Sequence, residues 1–232
     1  MAIHDGHRQR LKERFSREGL DNFDELQVLE LLLFYCIPRV DTNPLAHRLL
    51  AHFGSLSQVL EAPEAELEKI PGMGPNAAVF LNLITAVGRF YLVNRSSQNT
   101  ILNTTEKCGN YLVSHFFGRR NEMVYLLCLD AKCKMLCCRQ IGEGSVNSAS
   151  IPVRRIVEVA LAANATSVVL AHNHPSGLAI PSPEDVQTTL RIAAALDTVE
   201  ITLADHIVVA DDDFTSMVQS GDYRPGRGGF YW

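Results

Sequence analysis

The chain has 232 residues, of which 47% are hydrophobic and 20% charged, and its formal net charge is −5. This is the composition of a globular protein and not of a disordered tail. The acidic balance extends to the first 92 residues, with nine Lys/Arg against twelve Asp/Glu. It counts against a dedicated nucleic-acid domain, whose surface is usually basic.

Residues 7–17 read as a charged helix whose Arg8, Arg10, Lys12, Arg14 and Arg17 form a local basic cluster, most simply a solvated helix face. Asp24 precedes LQVLELLLFYCI, an apolar helix ending near Pro38. Asn43-Pro44 opens the next helix, because Asn caps well and Pro suits the first turn, and Gly54 stops it after Phe53. A short helix follows from Ser55 to Leu60, another from Pro63 to Ile70, and Pro71–Pro75 makes a tight hairpin before a helix from Asn76 to about Tyr91. Residues 1–92 are therefore expected to be all α, and the polar, aperiodic VNRSSQNTILN of 93–103 reads as a linker.

The pattern then changes. Glu106–Phe117 reads as an amphipathic helix. Glu122–Leu129 and Cys133–Ile141 read as strands around the turn Asp130–Lys132. Val153–Ala163 is helical, and Ser167–Ala171 is a buried-strand run. Pro183–Leu196 is a helix with Ser182 as its N-cap. Glu200–Leu203 and His206–Ala210 read as two closing strands, Asp211–Asp213 as a turn, and 218–232 as a flexible tail. No uninterrupted apolar run reaches the roughly 18 residues of a membrane span. The opening MAIHDGHRQRLKER lacks the apolar core of a secretory signal. A cytoplasmic location without membrane contact is expected. Cys36, Cys108, Cys128, Cys133, Cys137 and Cys138 form no C-x-x-C pair, so reduced thiols are expected in place of disulfides or a cysteine zinc site.

The chemistry concentrates in AHNHPSGLAIPSPED, residues 171–185. His172 and His174 are two apart at the end of an apolar strand, so both imidazoles reach one side. Asp185 lies in the first turn of the next helix, and a Pro- and Gly-rich loop can fold that turn back over the strand end. Two histidines and a carboxylate are a usual protein ligand set for a catalytic zinc ion with an open fourth position. Two surface histidines and a capping aspartate would be the bland alternative; their shared placement favours Zn2+.

His172-x-His174, seven residues, Ser182, two residues and Asp185 match the H-x-H-x7-S-x2-D motif of the JAMM/MPN metallopeptidases. AHNHPSG followed by PS-x-x-D resembles the RadC family, as does GHRQRLKERF…LLLFYCIPRVDTNPLAHRLL…FGSLSQVL, so the resemblance runs to about residue 217. It implies an α+β protein: an N-terminal all-α helix-hairpin-helix domain over 1–92 and an α/β MPN domain (JAMM, cytidine-deaminase-like) over 104–217. It implies His172, His174 and Asp185 as zinc ligands, Glu122 in NEMVYLLCLD as the proton-transferring carboxylate, and Ser182 as donor to the oxyanion. Glu143 in GEGSV is the rival to Glu122, and a helix N-cap is the plainer reading of Ser182. The chain departs from the family's His-Pro-Arg-Glu at Ile151-Pro152-Val153-Arg154-Arg155, none of which is a ligand position. Asp205-His206 matches the family's strand pair and reads as structural.

Ile70–Ala78 resembles the hairpin of a helix-hairpin-helix motif, which offers backbone N–H groups to a DNA phosphate. DNA-binding versions place Lys or Arg just after the hairpin, whereas Asn76 and Ala77 stand here. Three functions compete: a zinc metallopeptidase or isopeptidase acting on a peptide or protein, a DNA-repair-associated protein binding DNA weakly and nonspecifically through residues 1–92, and a non-catalytic MPN scaffold. The intact set of Glu122, His172, His174, Ser182 and Asp185 favours the first.

Overall fold

A computed structural model describes residues 3–96, 101–144, 152–175 and 177–226. The protein is α+β, and its chain divides into two compact units, Met1–Gly88 and Arg89–Trp232.

The first unit is built from α1 (Ile3–Glu18), α2 (Glu25–Cys36), α3 (Asn43–Phe53), α4 (Leu56–Glu61), α5 (Glu64–Leu67) and the start of α6 (Pro75–Ser96). Asp24 caps α2 in a reciprocal box with Gln27. Leu29, Leu33, Leu49, Val59, Leu67 and Leu81 close the core. Thr42, not Asn43, is the N-cap of α3. The Asn43 side chain is instead drawn to the buried Glu30 carboxylate (3.4 Å), which also meets His7 at 3.1 Å. A buried carboxylate demands such partners, and its need outweighs the capping preference.

The basic cluster is largely turned inward along α2. Arg8 lies 4.7 Å from the Phe34 ring and donates to the carbonyls of Ile37 and Val40; Lys12 lies over Tyr35; Arg14 covers Phe23 and donates to Asn22 O. These cation–π contacts take Arg8, Lys12 and Arg14 out of the solvated face expected for the stripe, while Arg10 and Arg17 remain exposed. At the Ile70–Pro75 turn, Gly72 has φ 96°, a region that favours glycine. Arg48 of α3 donates to Pro71 O (2.9 Å), so a basic group does reach the hairpin, from a helix earlier in the chain.

α6 differs from expectation in two ways. Its stretch Pro75–Arg95 is long and apolar enough, by length and composition alone, to match a membrane span. Asn82, Thr85 and Gly88 break its apolar runs, so counting uninterrupted residues passes over it. It also continues through Val93–Ser96, assigned to the linker, because no Pro or Gly stops it and Asn94 bonds back to Phe90 O. The rest of the linker is described only from Ile101, which bridges to Lys134; residues 97–100 lie outside the described residues.

The second unit carries α7 (Thr105–Phe116), β1 (Met123–Leu129), β2 (Met135–Glu143), α8 (Val153–Ala162), β3 (Ser167–Asn173), α9 (Pro183–Asp197), β4 (Thr202–Ala210) and β5 (Asp213–Ser216). The sheet order is β2-β1-β3-β4-β5, with β3 and β4 parallel and the other pairs antiparallel. Alternation along the strands makes two cores. Val124, Leu126, Val168 and Leu170 pack with α8 and α9, while Met123, Tyr125, Leu127, Val169 and Ala171 pack with α7. Cys137 joins the first layer and Cys138 the second, as opposite faces require. The cysteines are free, and burial pushes the Cys128 thiol up to about 12.

Two expectations fail near the C-terminus. Thr202–Leu203 and His206–Ala210 belong to one strand, β4, running through Asp205, while Glu200 lies in the turn before it (φ 60°), and the partner strand is β5. Asp205 reads as a break only because its partners lie far ahead: the Ser216 hydroxyl (2.6 Å) and the Val218 amide (3.2 Å) both donate to it. The tail from 218 onward is not uniformly loose either. Tyr223 is buried and its hydroxyl donates to Leu203 O (2.8 Å); residues 227–232 lie outside the described residues.

Gly109 on α7 sits against β5, and a Cβ there would collide with the Phe214 ring. Overpacking of this kind costs about 1–3 kcal/mol, against roughly 1 kcal/mol gained in helix propensity. Gly109→Ala should therefore lower the melting temperature. Combined with Phe214→Leu it should lose less than the two single losses together, because the clash is removed. An unchanged melting temperature for Gly109→Ala would show that the ring yields freely.

Candidate metal centre

β3 is buried along its whole length between β1 and β4. Its alternation sends Val168, Leu170 and His172 to the α8–α9 layer and Asn173 to the opposite side. His174 follows the strand end, where its amide donates to Val209 O (2.8 Å). The chain then turns at Gly177 (φ 86°), and the His174 ring is held at Nδ1 by Leu178 O (3.0 Å).

Ser182-Pro183-Glu184-Asp185 starts α9 as a capping box. Ser182 Oγ accepts from Asp185 N (3.1 Å), and Asp185 Oδ2 accepts from Ser182 N (2.8 Å) and Oγ (2.7 Å). Pro in the first turn and a carboxylate at the positive helix end suit this start. The box fixes Asp185 so that Oδ1 lies 3.4 Å from His172 Nε2 and Oδ2 lies 3.6 Å from His174 Nε2. The two Nε2 atoms are 2.9 Å apart. His172 and Asp185 are buried, and His174 is half-buried. Burial by itself raises the Asp185 carboxyl, but hydrogen bonding and charge at His172, with the bonds from Ser182, turn the net shift well downward.

The donor set fits a divalent zinc-like ion. One ligand atom from each of the three residues lies within 4.8 Å of the others. Zinc bonds of about 2.0–2.1 Å in tetrahedral arrangement separate ligand atoms by about 3.3 Å, close to the spacings seen. A backbone carbonyl only accepts, so Leu178 O requires the proton of His174 on Nδ1 and leaves a lone pair on Nε2. Nitrogen lone pairs brought together beside a carboxylate call for a cation or a proton between them.

Glu122 immediately precedes β1. Val124 pairs with His172 in the antiparallel ladder. Two residues before Val124, Glu122 continues the alternation of β1 toward the layer of His172. Glu143 pairs with Met123, whose side chain belongs to the other layer, and its carboxylate takes the amides of Asn121 (3.4 Å) and Gln140 (3.2 Å). The register thus favours Glu122 over Glu143. Asn173, which the sequence reading passed over, brackets Glu122: its Oδ1 accepts from Met123 N (2.7 Å) and its Nδ2 donates to Asn121 O (3.2 Å). His206, read as structural, lies against His172 with Nε2 2.8 Å from Nδ1. A polar residue between two candidate ligand histidines, and a histidine inside an apolar strand, were the available signals.

Residues 102–222 match the RadC-like JAB domain family. UPF0758 protein FN0909 of Fusobacterium nucleatum is 34% identical over 223 residues, covering 93% of this chain and 96% of the relative. That name assigns no activity.

Asn173→Ala removes both bonds around Glu122 and leaves the buried Met123 amide without its acceptor, a loss of about 1–3 kcal/mol. Amide exchange at Met123 should accelerate and the urea midpoint should fall. Asn173→Asp keeps the acceptor for Met123 and should lose less. Exchange at Met123 unaffected by Asn173→Ala would refute the bracket.

Proposed function

The chain belongs to the RadC family, and from that premise we propose that its JAB-type domain is a zinc-dependent amide hydrolase acting on a peptide or isopeptide bond. The observation that carries this reading is the convergence of His172 Nε2, His174 Nε2 and the Asp185 carboxylate.

His172, His174 and Asp185 would hold the ion. When bound, zinc supplies a Lewis acid that makes water nucleophilic near neutral pH. Glu122, at the start of β1, accepts the proton of the attacking water and returns it to the leaving nitrogen, so that the amine departs neutral. Ser182 Oγ faces the centre from the helix start, where its proton rests on Asp185 Oδ2. In the proposed reaction it swings that proton to the carbonyl oxygen as negative charge develops there. Glu184 and Asp185 supply negative charge at this helix start, which suits a neutral amide better than a phosphodiester. The N-terminal helices are proposed to add only weak, salt-sensitive DNA contact, since Arg8 and Arg14 are engaged along α2.

Purified protein should carry about one zinc per chain, and His172→Ala or Asp185→Ala should lose it. Glu122→Gln should keep the metal and lose peptide hydrolysis by roughly 10²–10⁴. Full zinc content in both ligand variants, or an active Glu122→Gln beside an inactive Glu143→Gln, would overturn the assignment.

Ser182→Gly separates the two roles of the hydroxyl. Glycine caps almost as well as serine, at a loss of a few tenths of a kcal/mol, whereas loss of an oxyanion donor costs about 10²–10³ in kcat. The expected result is a near-native melting curve with depressed turnover. Unchanged turnover with a lower melting temperature would reduce Ser182 to a helix cap.

A further inference from the structure

We propose that His206 is a positioning residue that, together with Thr189, locks His172 in the Nδ1–H tautomer and so presents Nε2 as its metal donor; this rests on the reading of His172 as a ligand.

His206 is fully buried on β4, opposite Leu170 of β3, on the layer that faces α9. Its Nε2 lies 2.8 Å from His172 Nδ1, and its Nδ1 lies 2.6 Å from Thr189 Oγ1. Proton accounting then runs in one direction. The Thr189 hydroxyl has a single proton, and the proposed relay assigns it to Asp185 O at 2.6 Å, a carbonyl that can only accept. The Met217 sulfur at 3.5 Å is a weaker acceptor. Toward His206 the hydroxyl can therefore only accept, so the His206 proton sits on Nδ1. Its Nε2 is a lone pair, and His172 must donate to it from Nδ1. The lone pair left on His172 is Nε2, which points to His174 Nε2 and Asp185.

The relay begins and ends at the centre. Thr189 is four residues after Asp185, the spacing at which a helical threonine bonds back to a carbonyl. The ligand on α9 and the ligand on β3 are thereby joined through two side chains. His206 is not itself a fourth ligand, because both of its nitrogens are engaged away from the three donor atoms. Outer partners of this kind set ring orientation, tautomer and basicity in metal-binding histidines.

The alternative is that His206 only fills space. Three variants distinguish the two. His206→Phe keeps the volume and removes both nitrogens. His206→Gln keeps one acceptor for His172 and one donor for Thr189. Thr189→Val keeps the shape and removes the hydroxyl. Two measurements are made on the full chain: zinc affinity by chelator competition, and the His172 tautomer in metal-free protein by long-range ¹H–¹⁵N correlation. The wild type should show His172 protonated at Nδ1. His206→Phe should lose that preference and bind zinc about 10–100-fold more weakly. Thr189→Val should shift in the same direction, and His206→Gln should restore most of both properties. If His206→Phe does not fold, Thr189→Val and His206→Gln decide. A wild-type His172 protonated at Nε2, or zinc affinity unchanged in His206→Phe and Thr189→Val, would overturn the relay. Absence of zinc binding by the wild type, with the tautomer as stated, would overturn the hydrolase reading and leave the relay standing.

Discussion

β3 is hydrogen-bonded on both edges, antiparallel to β1 and parallel to β4, and the centre takes its geometry from that double pairing. A parallel pair needs a crossover, and α9 supplies it between β3 and β4. The crossover departs from the C-terminal end of β3, so the first turn of α9 returns beside His172 and His174 and sets Asp185 there. The antiparallel pair does the complementary work, because the start of β1, which Glu122 precedes, meets the end of β3. One end of the sheet thus collects a strand end, a helix start and a strand start, the place where open α/β sheets commonly bind ligands.

Asp185 serves two demands with one carboxylate. Oδ2 closes the capping box with the Ser182 amide and hydroxyl, while Oδ1 faces His172. The cap restricts the rotamer before any ion arrives, which lowers the ordering cost of binding. The same economy explains why a serine and an aspartate three apart are both an ordinary helix signal and part of a ligand motif. Pattern and chemistry coincide at this helix start, so neither the capping reading nor the metal reading displaces the other.

Much of this was legible from local sequence. The His-x-His spacing, the Ser182 cap and the buried run Ser167–Ala171 each follow from short-range rules, and they point to the three candidate donor residues without a structure. What was not legible depends on partners distant in sequence. Asp205 looked like a break between strands because Ser216 and Val218, which satisfy it, come after a turn. His206 looked structural because its partners, His172 and Thr189, are 34 and 17 residues away. Asn173 sits between the two most conspicuous residues of the chain, but its hydrogen bonds go to the β1 start some fifty residues earlier. The basic stripe of α1 failed in the same manner, since Phe23, Phe34 and Tyr35 that engage it belong to α2 and its flank.

The two candidate histidine ligands are oriented by different devices, and the difference follows from backbone accounting. His174 lies just past the strand, where loop carbonyls are uncommitted, and Leu178 O serves directly. His172 lies inside a ladder paired on both sides, by β1 and β4, and its Nδ1 meets a side chain, His206 Nε2, at 2.8 Å. The acceptor is thus a side chain from the adjoining strand. Buried there, that side chain needs its own far side satisfied, which the Thr189 hydroxyl does. The hydroxyl proton in turn needs an acceptor, and the Asp185 carbonyl lies four residues back on the same helix. Placing a candidate ligand histidine on a central strand thus draws a polar chain through the core, and its cost is offset only if every member is paired, as each is here.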